Sequence, residues 1–466
     1  MKTIERHDLD GVGEATLALG TFVAELKYDD LPASVVAKAK ECVLDGLGCC
    51  LFGVTQPWTQ MILEMVREQG GALQASVPGT NFRTSVSQAV LVTSTAGHGF
   101  ELDDIHVGAH LHPGSLTVPV ALAFAESLDG VDGRAFLTGV VAGYEAGLRI
   151  GLAATGSHFM RGYHFQGTCG GFAAAATAAR MLSLDANKTR HALGIAGSQA
   201  AGLMAAQEGA MAKRMHGGRA AQSGVYSALL AARGFTGIPN VLEAPYGGFL
   251  SSYTDSAQPA NLTRGLNTEW RILEMGYKPY ASAASTHTAL YALGTIMKEH
   301  VLKPDDIQAV HLYCSTMAHR HCAWPYEPQG ITSAQMSLFY TLAVMAYDGE
   351  VLTDQFELAR LEEPVLLDFI KRIRIEVDPA YDAGGDATRH ESRMAVTTRD
   401  GRRFERHDQY RKGSPSNPMT REERHTKFRR LAGAVLSESR VAEVIAEIEA
   451  LETSRDVKRL AGLMTL

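Results

Sequence analysis

The hydrophobic period of this chain changes twice along its length. From about residue 15 to 260, Ala, Gly, Leu and Val recur at helical spacing; beyond about 270, apolar and polar residues alternate; from Thr420 the helical period returns. A helix cannot carry a two-residue stripe, nor a strand a 3.6-residue one, so two kinds of structure must share the chain. In DLPASVVAKAKECVLDGLGCCLFG, Asp30 and Pro32 mark a helix start, and Val36, Ala39, Val43, Leu47 and Cys50 then fall on one face. SLTVPVALAFAESL, AFLTGVVAGYEAGLRIGLAA, GGFAAAATAARML and GVYSALLAARG read as further helices, with small residues that let axes approach closely. IQAVHLYCST, IRIEVDP and MAVTTRDGRRFERH read as strands, with Asp400-Gly401 as the hairpin turn. Helical patterns at 284–300 and 333–348 lie between them, and Val441, Val444, Ile445, Ile448 and Leu451 mark a terminal amphipathic stripe.

The expected architecture is therefore a large all-α domain, residues 1–268 and 412–466, with a smaller α+β domain, 269–411, inserted between its two parts and built on an antiparallel sheet. A length of 466 residues allows two domains. YDAGGDATRHES, near 381–392, is the expected mobile loop. The net charge of −7 gives nothing to attract nucleic acid or an anionic membrane. The opening MKTIERHDLDGVGEATLALG lacks a basic region before an apolar run, and no later segment is long and apolar enough for a bilayer span, so a cytoplasmic protein is expected. The six cysteines, at 42, 49, 50, 169, 314 and 322, form no CxxC pair and read as buried small apolar residues.

GHGFELDDIHVGAHLHPGS, residues 97–115, sets three carboxylates among four histidines. Glu101, Asp103, Asp104, His106, His110 and His112 suit zinc, manganese or iron in type, but their spacing matches no tight template, and Pro113-Gly114 turns the chain. A polar loop without chemistry and a metal-free acid/base site are the other readings, and the last is favoured. His164, in RGYHFQGTCGG, precedes a helix start where backbone N–H groups could hold an anion. Lys213 and Arg214, with His216 and Arg219 beyond, either snorkel at a helix end or face a buried anion. Lys278 and Tyr280 fall where the texture changes, the kind of border at which ligands bind. His287 reads first as a core histidine, and His319 and His321, around Arg320 near Trp324, are ambiguous. Cations beside carboxylates suit an enzyme that moves a proton α to a carboxylate. A non-catalytic small-anion binding protein would need the cations but not the acidic cluster.

ELDDIHVGAHLHPGS resembles the hallmark of the MmgE/PrpD family, which includes 2-methylcitrate dehydratase, cis-aconitate decarboxylase and iminodisuccinate epimerase. GLMAAQEGAMAKRMHGGRAAQSG, APYGGFLSSYT, KPYASAASTH, HCAW and AQMSL are most similar to the fungal-type cis-aconitate decarboxylases within it. The resemblance implies a helical domain with an α+β lid, a homodimer, and a cleft that works without metal or organic cofactor on a small carboxylate. It implies catalytic roles for His112, Asp103, His164, Lys213 and Lys278, and substrate contacts from Glu101, Asp104, His106, His216, Tyr280 and His287. Ile105 stands where many members have Thr, and Ala283 where many have Cys or His. The shared chemistry is a carbanion or enolate beside a carboxylate, with dehydration of the 2-methylcitrate type expected ahead of decarboxylation or epimerisation.

Overall fold

A computed structural model describes residues 14–385 and 388–466. They separate into two compact units. The first comprises residues up to 204, 212–275 and 420–466, and the second 205–211 and 276–419.

The first unit is helical: α1 (Ala15–Glu25), α2 (Ala33–Gly53), α3 (Pro57–Gln69), α4 (Val86–His98), α5 (Gly114–Ser127), α6 (Gly133–Met160), α7 (Gly170–Met181), α8 (Ala186–Gly197) and α9 (Ala212–Ala232). Its β structure among the described residues is a pairing of two-residue strands, Ala75–Ser76 with Arg83–Thr84, and isolated bridges at His106–Leu111 and Tyr163–Leu203. Helix starts follow from side-chain caps: Asp132 accepts from Ala135 N and Asp185 from Lys188 N. Helix α6 is interrupted at Thr155, whose φ of +61° is left-handed. The small residues do what their spacing suggests. Helix α9 packs on α4, α7 and α8, and a Cβ on Gly224 would lie 2.5 Å from that of Ala174 on α7, a separation only glycine permits.

The second unit holds α10 (His287–Glu299), β1 (Ile307–Cys314), α11 (Leu338–Asp348), β2 (Ile373–Val377), β3 (Ser392–Thr398) and β4 (Arg403–Asp408). The sheet order is β2-β1-β3-β4. Strands β1, β3 and β4 pair antiparallel as expected, but β2 joins β1 in parallel, Val310 opposite Ile373, so the sheet is mixed. The turn at Asp400-Gly401 closes the β3–β4 hairpin, with Gly401 at φ +88° and its N–H donating to Thr398 O. Leu290, Leu293 and Ile296 of α10 are buried, and the helix packs on β3, β4 and α11. In the predicted mobile loop, Asp386 and Ala387 lie outside the described residues; Asp382 accepts from Thr316 N at 2.9 Å.

After Met419 the chain returns to the first unit as α12 (Arg421–Ala432) and α13 (Glu438–Glu449). Thr420 and Glu423 form a capping box at the start of α12, and Val441, Val444, Ile445 and Ile448 are the buried face of α13. All six cysteines are buried. No helix among the described residues is long and apolar enough to cross a membrane.

Candidate active site

The acidic stretch is a loop between α4 and α5, and its backbone is strained at two points. Glu101 (φ +57°) and His110 (φ +54°) are both left-handed, an uncommon conformation for residues with a side chain. The loop is fixed from several sides. Gln166, fully buried, takes a hydrogen bond from His112 N at 3.1 Å and donates to His112 O at 3.0 Å and to Ser115 Oγ at 2.8 Å. Tyr144 OH donates to Asp104 Oδ2 at 2.6 Å, and Gly114 N to Oδ1 at 3.0 Å. Burial above all, with the charges of Asp45 and Asp103 adding to it, raises the Asp104 carboxyl well above its usual range against the pull of those hydrogen bonds. Lys427 of α12 reaches Asp45 Oδ1 and Leu102 O, each at 2.6 Å, and so clamps the loop from the far end of the chain.

Within this frame the histidines form a row. His112 Nδ1 donates to Asp104 O at 2.6 Å and lies 3.5 Å from Asp103 Oδ1; in a neutral ring Nε2 is then the basic nitrogen. His98, the last residue of α4, donates through Nδ1 to Asp103 Oδ2 at 2.8 Å, an oxygen that Ser115 Oγ also approaches at 3.1 Å. Ring centroids run from His112 to His98 at 5.3 Å, His98 to His164 at 5.5 Å and His164 to His216 at 5.1 Å. The Nδ1 atoms of His164 and His216 share one proton across 2.8 Å. Burial first, then the charge of Lys213 and the neighbouring histidines, holds His164 well below the ordinary imidazole range; burial with His98 and Lys213 lowers His216 to about 4. A row of this kind can accept or deliver a proton without carrying several charges at once.

Lys213 and Arg214, at the start of α9, do face a buried anion. Both meet Glu101 Oε1, Arg214 at 2.9 Å, and Arg214 also lies over the Trp58 ring. His106 is differently employed: Ala109 N donates to its Nδ1 at 3.0 Å and its Nε2 donates to Glu274 at 2.8 Å, so both ring nitrogens shape the loop. His110 stacks on Phe165 with centroids 4.8 Å apart. In the second unit Lys278 is buried, and Tyr280 lies edge-on to His287 at 5.3 Å between centroids. His287 is fully buried, donates to Ser282 O at 3.2 Å, and belongs to the core of its unit; His321 Nδ1 meets Ser285 Oγ at 3.1 Å. Ala283 and Ile105 are both buried.

Ligand atoms of His98, Asp103 and His112 lie within 4.8 Å of one another, the one such group of three among the described residues. Each Nδ1 here is a hydrogen-bond donor, so a metal held through those atoms would cost both bonds. Sequence reasoning passed over His98, Gln166, Tyr144 and the Asp45–Lys427 pair. Lys427 carried a usable signal, being four residues from buried Leu431 on the apolar face of a charged helix.

The family's N-terminal domain matches residues 17–261 and its C-terminal domain residues 280–453. The chain belongs to the MmgE/PrpD family. Its relatives include the cis-aconitate decarboxylase-like protein oryM of Aspergillus oryzae, 32% identical over 97% of this chain and 98% of the relative. The cis-aconitate decarboxylase of Aspergillus terreus is 30% identical, covering 99% and 98%, and that of Homo sapiens 26%, covering 96% and 94%. As an MmgE/PrpD protein with relatives of this kind along its full length, the chain is a lyase.

Proposed function

We propose that this MmgE/PrpD lyase removes CO₂ from a small unsaturated tricarboxylate of the cis-aconitate type, without a cofactor. The observation that carries the reading is the mounting of His112: its backbone is held on both sides by Gln166, its ring is aimed by Asp104 O, and Asp103 lies beside it. In the proposed reaction the bond to one carboxylate breaks, CO₂ leaves, and the electron pair delocalises toward a neighbouring carboxylate. Imidazolium at His112, stabilised by Asp103, then protonates the carbon. Lys213, already in a carboxylate pair with Glu101, supports the developing charge, as a fixed cation does best where water is scarce. His164 and His216 take the roles of proton partner and substrate contact. Lys278 and Tyr280 keep the substrate roles that the family implies, while His287, buried in the core of its unit, supports Tyr280 from behind.

Dehydration of a 2-methylcitrate-type substrate is the second reading, favoured by the tautomer in which His112 Nε2 is a base able to take an α-proton. The two differ in the first proton step, which decarboxylation does not need. Proton NMR in D₂O with cis-aconitate and 2-methylcitrate in separate tubes decides between them: CO₂ release with deuterium entering the product supports decarboxylation, loss of water the alternative. His112→Ala should lower turnover by about 10²- to 10⁴-fold with an unchanged circular dichroism spectrum. Wild-type rates would remove the acid role.

Exposed Tyr226 and Leu230 on α9, with Phe235 and Ile238 just beyond, support the expected homodimer, which sedimentation equilibrium tests.

A further inference from the structure

We propose that the second unit carries a carboxylate-binding subsite anchored on the Nε–Nη2 edge of Arg411, with His390 beside it. Arg411 follows β4 and is 2% exposed. Its hydrogen bond among the described residues runs from Nη1 to Tyr277 O at 3.3 Å, while Nε and Nη2 are sealed from solvent without a partner. Those two nitrogens form one edge of the guanidinium, and their parallel N–H bonds match the two oxygens of a carboxylate. His390 Nδ1 is likewise sealed and unpartnered.

Arg389 stands close enough to act on Arg411, and Arg389, Arg411, His287 and His321 all stand near His390. Burial and this company lower Arg411 to about 10 and keep His390 well below its ordinary range, so His390 is a neutral hydrogen-bonding group beside a charged fork. A buried cation without a counter-ion is costly, and the two fully buried arginines of the first unit do not pose the problem: Arg149 faces Glu145 and Arg214 faces Glu101. Arg149 also spends both terminal nitrogens on the carbonyls of Arg264, Gly265 and Glu269. An arginine kept only to brace backbone would be used in that way. The choice of carboxylate over phosphate rests on the lyase reading above.

Calorimetric titration of the full-length protein with tricarballylate, a saturated tricarboxylate, and separately with inorganic phosphate tests the subsite. Native protein should bind tricarballylate, and Arg411→Met should weaken binding about 30-fold or more. Arg411→Lys, which keeps the charge and loses the fork, should weaken it nearly as much while melting close to native; it decides the matter if the methionine variant fails to fold. Native-like affinity in a folded Arg411→Lys, no binding by the native protein, or Arg411-dependent binding of phosphate alone would each overturn the proposal. Turnover of cis-aconitate by the native enzyme is scored independently. Arg411-dependent tricarballylate binding without turnover keeps the subsite and removes the decarboxylase reading; turnover with binding indifferent to Arg411 does the reverse.

Discussion

His98 and His112 approach the same carboxylate from opposite oxygens, and that sharing sets what each can do. Asp103 Oδ2 takes the His98 N–H at 2.8 Å, while Oδ1 stands 3.5 Å from His112 Nδ1. The closer bond holds the carboxylate in place, so that it lends charge to His112 without capturing its proton. His98 is thus a positioning residue, acting through Asp103. His98→Asn keeps a donor near Asp103 but removes the ring that touches His112 and His164. Its kcat should fall roughly 10- to 100-fold with little change in KM, and the acid limb of the pH–rate profile should move because the ring packed against His112 is gone. An unchanged profile alongside a lowered melting temperature would reduce His98 to a structural role.

At the scale of elements, the acidic loop is held by a helix from the other end of the sequence. Lys427 on α12 ties Asp45 of α2 to Leu102 O, partners 382 and 325 residues away. Burial works to lower the Lys427 ammonium, but Asp45, with Cys49 and Asp103 adding to it, raises it above its ordinary range, so Lys427 stays charged at neutral pH. Lys427→Met would strand Asp45 and an unpaired carbonyl in the core, and about 3–5 kcal/mol of stability should be lost in urea unfolding. Adding Asp45→Asn should restore part of that stability but not the activity, since Leu102 O would still be unheld; full recovery of both would mean that the clamp does not position the loop. This contact also marks where sequence reasoning ends. The stripe of α2, the hairpin at Asp400-Gly401 and the buried face of α13 were legible because each is a local period or turn with one physical solution. The parallel pairing of β2 was not, because a five-residue strand such as IRIEV reads the same in either direction and its partner is set by a crossover. In the candidate site, the acid/base types of His112, Asp103 and Lys213 were visible in the residues. The Gln166 clamp and the His98–Asp103 bond were not, because one is an amide in a helical run and the other depends on a left-handed turn at Glu101.

Across the whole molecule, the buried histidines make folding depend on acidity. Burial holds His158 and His216 near 4, and His164 and His390 well below their ordinary range, so all four are neutral in the folded chain near pH 6, while in the unfolded chain they titrate near 6.5. A base whose folded pKa is depressed contributes stability above its unfolded pKa, and that contribution is lost as pH falls toward its folded value. Two buried carboxyls, Asp104 and Glu145, are raised instead and work in the opposite sense, since the folded state takes up their protons first. Four histidines outweigh two carboxyls, and Glu274 and Glu452, both lowered, join the histidines at the acid end. The melting temperature should therefore decline between pH 6.5 and 4. His158, which donates or accepts at Thr168 Oγ1 at 2.8 Å among aromatic rings and lies outside the row of site histidines, isolates the effect. His158→Gln can keep the threonine bond but cannot titrate, so its melting temperature should fall less steeply over that interval than the native one, even if it starts lower at pH 7. Parallel curves for the two proteins would show that His158 protonates equally in the folded and unfolded chains, and would shift the acid sensitivity onto the three histidines that remain.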